Sequence, residues 1–242
     1  RRHTMLARLL LCRVSVRLSA SAVLPCWIAP LLPFGGWLTV SNVVGPVLVY
    51  LDRFMVGALL PPNQLAYYAV PFEMVSRLLV IPMSLTGALF PALASAQSHD
   101  GSQARALRRK AFQLSCALIL PVALIGGLAA QPLLRLWLGE EFALHGSRTM
   151  QILLVGFTFN AIAQVPMAAM HGHGLGRPTA LLHLVELPIY AVCVLAMVRA
   201  YGLEGAALAW SARGALDMVV LSLMLRRAER SIAAALPSPA KD

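Results

Sequence analysis

The chain has 242 residues, of which 59% are hydrophobic and only 12% charged, and its mean hydropathy is +0.73. Soluble domains carry about 25% charged residues, so this balance excludes an ordinary soluble enzyme or binding module. The formal net charge of +10 does not signal a nucleic-acid partner either, because aromatics make up 7% of the chain and no basic cluster sits on a plausible soluble module.

Residues 1–35 form a basic and apolar N-terminal segment. Its opening resembles a signal peptide, but Arg8, Arg13 and Arg17 interrupt the apolar run and no small-residue cleavage site stands out. The uncharged stretch Leu18–Phe34 would make a seventh span only by carrying Arg1–Arg17 to the poorly charged side, so it is set aside. The chain starts with Arg1 rather than Met, and the expectation is a C-terminal piece of a longer protein.

Residues 36–226 read as an all-α, polytopic membrane bundle. Six spans are predicted at Gly36–Leu60, Tyr67–Ala96, Ala111–Leu134, Met150–Met170, Pro178–Val198 and Ala206–Leu225. The third and fourth contain no charge and exceed the length of about 18 residues that marks a membrane crossing. Hydrocarbon offers no partner to an open backbone group, so these runs must be helical. Pro61-Pro62-Asn63, Ser98–Ser102, Gly139-Glu140-Glu141, His171–Gly174 and Tyr201–Gly205 punctuate them. Pro71, Pro82 and Pro91 predict a kinked second span. Residues 227–242 are expected to be a polar cytoplasmic tail, disordered from Ser231. Fourteen Lys and Arg fall on one side of the spans and three on the other, which places both termini in the cytoplasm.

The informative residues are the ionisable ones within spans: Asp52, Arg53, Glu73, Arg77, Glu186, Arg213 and Asp217. A charge at a helix centre costs roughly 2.5–3.5 kcal/mol on insertion scales, so such groups face a bundle interior or a watery cavity. With a rise of about 1.5 Å per residue, they all fall roughly 10–18 Å from the outer ends of their spans. One layer therefore holds charges of both signs from four helices. Two readings stay open. The layer can line a polar cavity in which Arg53, Arg77 and Arg213 bind phosphate through their planar forks, while Asp52, Glu73, Glu186 and Asp217 accept a coupling cation or pair with the arginines. Alternatively Glu73/Arg77 and Arg213/Asp217, each spaced i,i+4, neutralise themselves on their own helices.

Other features read as structural. His171 and His173 lack the further ligand that a metal site needs, and His183 reads as interfacial or packed. Cys12, Cys26, Cys116 and Cys193 have no metal-like spacing. There is no phosphate-binding Gly-rich loop, nucleophile elbow or metal-ligand cluster, so neither an enzyme nor a cofactor is expected.

Several runs resemble a known family. Trp37-Leu-Thr-Val-Ser-Asn42 with Tyr50-Leu-Asp52-Arg53-Phe54-Met-Val-Gly57 is similar to the opening helix of the second lobe of Wzx-like polysaccharide flippases. These belong to the MOP superfamily, which also holds the MATE exporters and the lipid II flippase MurJ. Ala66–Pro71 leading to Leu89–Leu93 resembles the family's following helix. Glu186-x-Pro188-x-Tyr190 and the run Tyr201–Asp217 resemble its last two core helices.

The resemblance implies a transporter that moves an undecaprenyl-pyrophosphate-linked oligosaccharide across the bacterial inner membrane, with Arg53, Arg77 and Arg213 facing the substrate. It also implies a second, N-terminal lobe or a second copy of the chain as partner, besides the lipid bilayer. A MATE-like drug or cation exporter and a non-transporting membrane subunit are the alternatives.

Overall fold

The computed structural model describes residues 31–99 and 101–235, and these are almost wholly helical. The N-terminal segment expected to stand apart lies outside the described residues as far as position 30. Six elements follow one another: α1 (Leu31–Leu59), α2 (Pro62–Arg77), α3 (Val80–His99), α4 (Gly101–Leu138), α5 (Glu140–Gly172) and α6 (Gly176–Ala235).

The last of these is two helices. At about 1.5 Å per residue, its 60 residues would reach roughly 90 Å if straight, three times the thickness of a bilayer core. It turns back instead at Gly202, whose φ of 58° and ψ of −132° lie outside the helical region. Only glycine enters that backbone region without steric cost. A side chain at Gly205 would run into the Met197 carbonyl, which shows how tightly the two halves meet at the bend. Helices 176–201 and 203–235 thus form an antiparallel hairpin.

Proline sets the break in the second predicted span. Pro82 has no N–H to give to the Leu78 carbonyl, which accepts from Ile81 N at 3.1 Å instead. The helix therefore opens between Arg77 and Val80, separating α2 from α3, while Pro71 and Pro91 sit inside continuous helix. Five runs are long and apolar enough to cross a membrane, and the fifth (Gly176–Ser231) contains both arms of the hairpin. The protein is a multi-pass membrane helix bundle.

Helices outrun their apolar cores. The α4 helix starts at Gly101, ten residues before its apolar run, and carries Arg105, Arg108, Arg109 and Lys110 on helical backbone. Helix likewise continues through Ala235, so residues 227–235 of the expected polar tail are helical, those from Ser231 included, and the described residues end there. Arg108 pairs with Glu229 at this end, tying α4 to the last helix. Arginine and glutamate favour helix, and a paired terminus resists fraying.

The centre of the bundle is α5, whose apolar stretch is mostly buried where those of the other four spans are mostly not. It packs on α2, α3, α4 and α6. Small residues permit this close approach: a Cβ at Gly156 would lie 2.6 Å from Trp210 Cε3, so the hairpin presses directly on the α5 backbone. Ser211 Oγ donates to the Ile152 carbonyl at 2.8 Å across the same contact. Leu124, Ile125, Leu128 and Val192 point outward, as lipid-facing side chains do.

Candidate functional site

The ionisable layer resolves into two clusters, with Asp52 between them. The first joins α1 to α2. Arg53 Nη2 donates to Glu73 Oε2 at 3.1 Å, and Arg77 Nε donates to Glu73 Oε1 at 3.0 Å. Glu73 is thus shared by an arginine on the neighbouring helix and one a turn further along its own. The guanidinium of Arg53 also lies over the Phe72 ring, 4.2 Å from its centroid, and 5.1 Å from that of Tyr50. Such cation–π contacts help to hold the charge in place.

This cluster is open on one side. The side chains of Arg53, Glu73 and Arg77 are 20%, 46% and 78% exposed. The second cluster is closed: Arg213, Glu186 and Asp217 are 6%, 4% and 7% exposed. Arg213 Nη1 lies 3.3 Å from Asp217 Oδ2 and 3.9 Å from Glu186 Oε1, and its guanidinium stands 5.2 Å from the Tyr190 ring centre.

The hairpin bend explains how these residues meet. Glu186 lies sixteen residues before Gly202 and Asp217 fifteen after it; Tyr190 lies twelve before and Arg213 eleven after. Residues equally far from the bend lie opposite each other on antiparallel helices. A turn earlier on the same helix, His183 joins Glu186 and Asp217, and ligand atoms of the three lie within 4.8 Å of one another. That grouping is missed in the sequence, where His183 reads as interfacial or packed. The register about Gly202 is the signal that finds it.

Asp52 is fully buried between the clusters. It accepts from the Tyr68 hydroxyl and, at 2.8 Å, from the Arg53 backbone N–H, and its charge also acts on Arg213. Phe72 meets Trp210 edge-on at 5.4 Å and so connects α2 to the hairpin. The pairs Glu73/Arg77 and Arg213/Asp217 do contact each other along their own helices, as the self-neutralising reading requires. Each pair is also joined to a further helix, through Arg53 and Glu186 respectively.

The two histidines at the end of α5 go elsewhere. His171 Nε2 faces Thr179 Oγ1 at 3.3 Å. In the following turn, burial and the nearby positive charge of Arg108 push the His173 imidazole's pKa below its ordinary value. An open apolar groove of about 390 Å³ runs between α4 and α5 past Leu124, Leu128 and Val155, and no ionisable residue borders it.

Residues 2–145 match the family model described as "Polysaccharide biosynthesis protein". The match takes in the N-terminal segment and the whole Arg53–Glu73–Arg77 cluster, and ends before the hairpin. Over 194 residues the chain is 38% identical to a Shigella flexneri protein named "Putative O-antigen transporter". That stretch is 80% of this chain and 46% of the relative, so the chain spans about half the length of the curated relative it matches. No solved structure matches the chain.

Proposed function

The chain belongs to the polysaccharide biosynthesis protein family, and from that premise we propose that it forms one lobe of a flippase for undecaprenyl-pyrophosphate-linked oligosaccharide. In this reading the lobe works in the bacterial inner membrane with both termini cytoplasmic, opposite an N-terminal lobe or a second copy. It moves its substrate between leaflets and makes or breaks no covalent bond.

The observation that carries the reading is the half-open cationic cluster of Arg53 and Arg77. Two arginines share one carboxylate there, so the group keeps a positive excess on its exposed side. A pyrophosphate brings several acceptor oxygens and matches guanidinium geometry, while a sugar hydroxyl alone would not need such a pair. The S. flexneri relative's name supports a saccharide cargo.

Arg213 takes a different part. Buried between Glu186 and Asp217, it reaches an anion only after the hairpin moves, as alternating access would require. Asp52, Glu73, Glu186 and Asp217 are the groups through which a cation gradient would couple to that movement.

Alanine at Arg53, Arg77 and Arg213, one at a time, tests the assignment through export of the saccharide. We expect transport to fall in each variant, most sharply at Arg53. Survival of export in all three sinks the pyrophosphate-binding role. A MATE-like exporter of cations would instead lose transport with Asp52, Glu73 or Asp217.

A further inference from the structure

The centre of the last hairpin holds more negative charge than its arginine answers. Glu186 and Asp217 are both buried, at 5% exposure each, and Arg213 is the cation that contacts them. A carboxyl oxygen of each lies within 4.8 Å of the other. Two ionised carboxylates are both acceptors and cannot bond to each other; a protonated carboxyl can donate to its neighbour. Glu186 Oε1 and Oε2, Asp217 Oδ1 and His183 Nδ1 accordingly have no hydrogen-bond partner among the described residues.

Neighbouring groups do not supply the missing charge. On α1, Asp52 adds another negative charge and Arg53 is engaged by Glu73 on α2. From α2, Tyr68 donates to Asp52; on α5, His171 faces Thr179. Tyr190, on the hairpin itself, lies against Arg213. A hard metal cation asks for about six oxygen ligands, more than two carboxylates provide. A divalent ion would also leave the site net positive beside Arg213. A proton answers both the charge and the open bond.

We propose that Glu186 and Asp217 share one bound proton at the centre of the hairpin, with His183 as the group through which it exchanges. With the proton bound, Arg213 pairs one-to-one with the remaining carboxylate. Without it, a single guanidinium is drawn between two buried anions, and the packing of the arms about Gly202 has to adjust. Protonation is thereby linked to the hairpin's geometry, whatever cargo the protein carries.

Infrared spectroscopy of the protein in lipid nanodiscs, stepped through pH, reads this directly. A protonated carboxyl has a carbonyl band apart from those of carboxylates, and the band shifts in heavy water. We expect such a band in the unmodified protein and its loss in both E186Q and D217N, since either change leaves one carboxylate for one arginine. It should persist in E204Q, whose pair with Arg148 is half-exposed, and in D52N. In H183Q the pH at which it vanishes should move. Circular dichroism confirms that each variant is folded. A band absent at every pH at which the protein is folded overturns the proposal, and so does one that survives both E186Q and D217N. Zinc or sodium held at the cluster with no protonated carboxyl also overturns it.

Discussion

Two ionic clusters in this protein are built on one plan and set in opposite surroundings. Each has a carboxylate and an arginine four residues apart on one helix, bridged to a charge on another: Glu73/Arg77 to Arg53, and Arg213/Asp217 to Glu186. In the first, two cations share one anion at a half-open surface. In the second, two carboxyl groups share one cation in a buried interior. The signs and the exposure are both reversed. An excess of positive charge at an opening is suited to receiving an anion, whereas an excess of negative charge in the interior calls for a small cation. The difference separates a group available to a substrate from one bound up with the fold.

The comparison breaks most visibly at Arg213. Replacing it with alanine leaves two buried carboxylates without a counter-ion, and breaking a buried pair in this way costs about 3–5 kcal/mol. R213A should therefore unfold at a clearly lower temperature in nanodiscs, and adding E186Q with D217N should recover part of the loss. No change in the unfolding temperature of R213A would mean that the cluster is not desolvated as described.

Next in size is the clamp that holds the buried cluster in place. Valine at Gly156 would drive its side chain into Trp210, and overpacking of this kind costs about 1–3 kcal/mol. Here too the readout is thermal unfolding, with Trp210 fluorescence reporting the displaced ring. G156V as stable as the parent would refute the close approach of α5 to the hairpin.

At the open cluster the expected effects move from stability to binding. R53A removes the cation held over Phe72 and the bridge to α2; it should weaken affinity for inorganic pyrophosphate roughly tenfold, about 1.4 kcal/mol. R77A, on a side chain 78% exposed, should change stability by less than about 1 kcal/mol. Its pyrophosphate affinity should still fall measurably in titration calorimetry. If R77A proved as destabilising as R213A, the contrast between the clusters would be lost.

Much of this architecture was legible in the sequence. Apolar runs with charged punctuation located the long apolar helices among the described residues, because a bilayer leaves helix as the way to satisfy backbone polar groups. The seven intramembrane ionisable residues stood out for their cost in hydrocarbon. Their partners were harder to read. Spacing shows pairs along a helix, such as Glu73 with Arg77, but says nothing of the neighbour across an interface, such as Arg53.

Helix ends were also missed, since apolar length marks hydrocarbon thickness and not where hydrogen bonding stops. Thus α4 begins at Gly101, and the last helix runs to Ala235 through a stretch read as tail. His183 reads as interfacial or packed in the sequence because its significance depends on the turn at Gly202, which sets Asp217 opposite Glu186. Counting outward from that glycine would have brought the three together.

The most direct measurement compares two lipids on the protein in nanodiscs: an undecaprenyl-pyrophosphate-linked oligosaccharide, and the same saccharide on a neutral lipid. An open cationic cluster that receives the pyrophosphate predicts that the charged lipid binds at least about tenfold more tightly. That preference should shrink in R53A and R77A and remain in E204Q. Equal affinities for the two lipids, or a preference untouched by loss of both arginines, would contradict it.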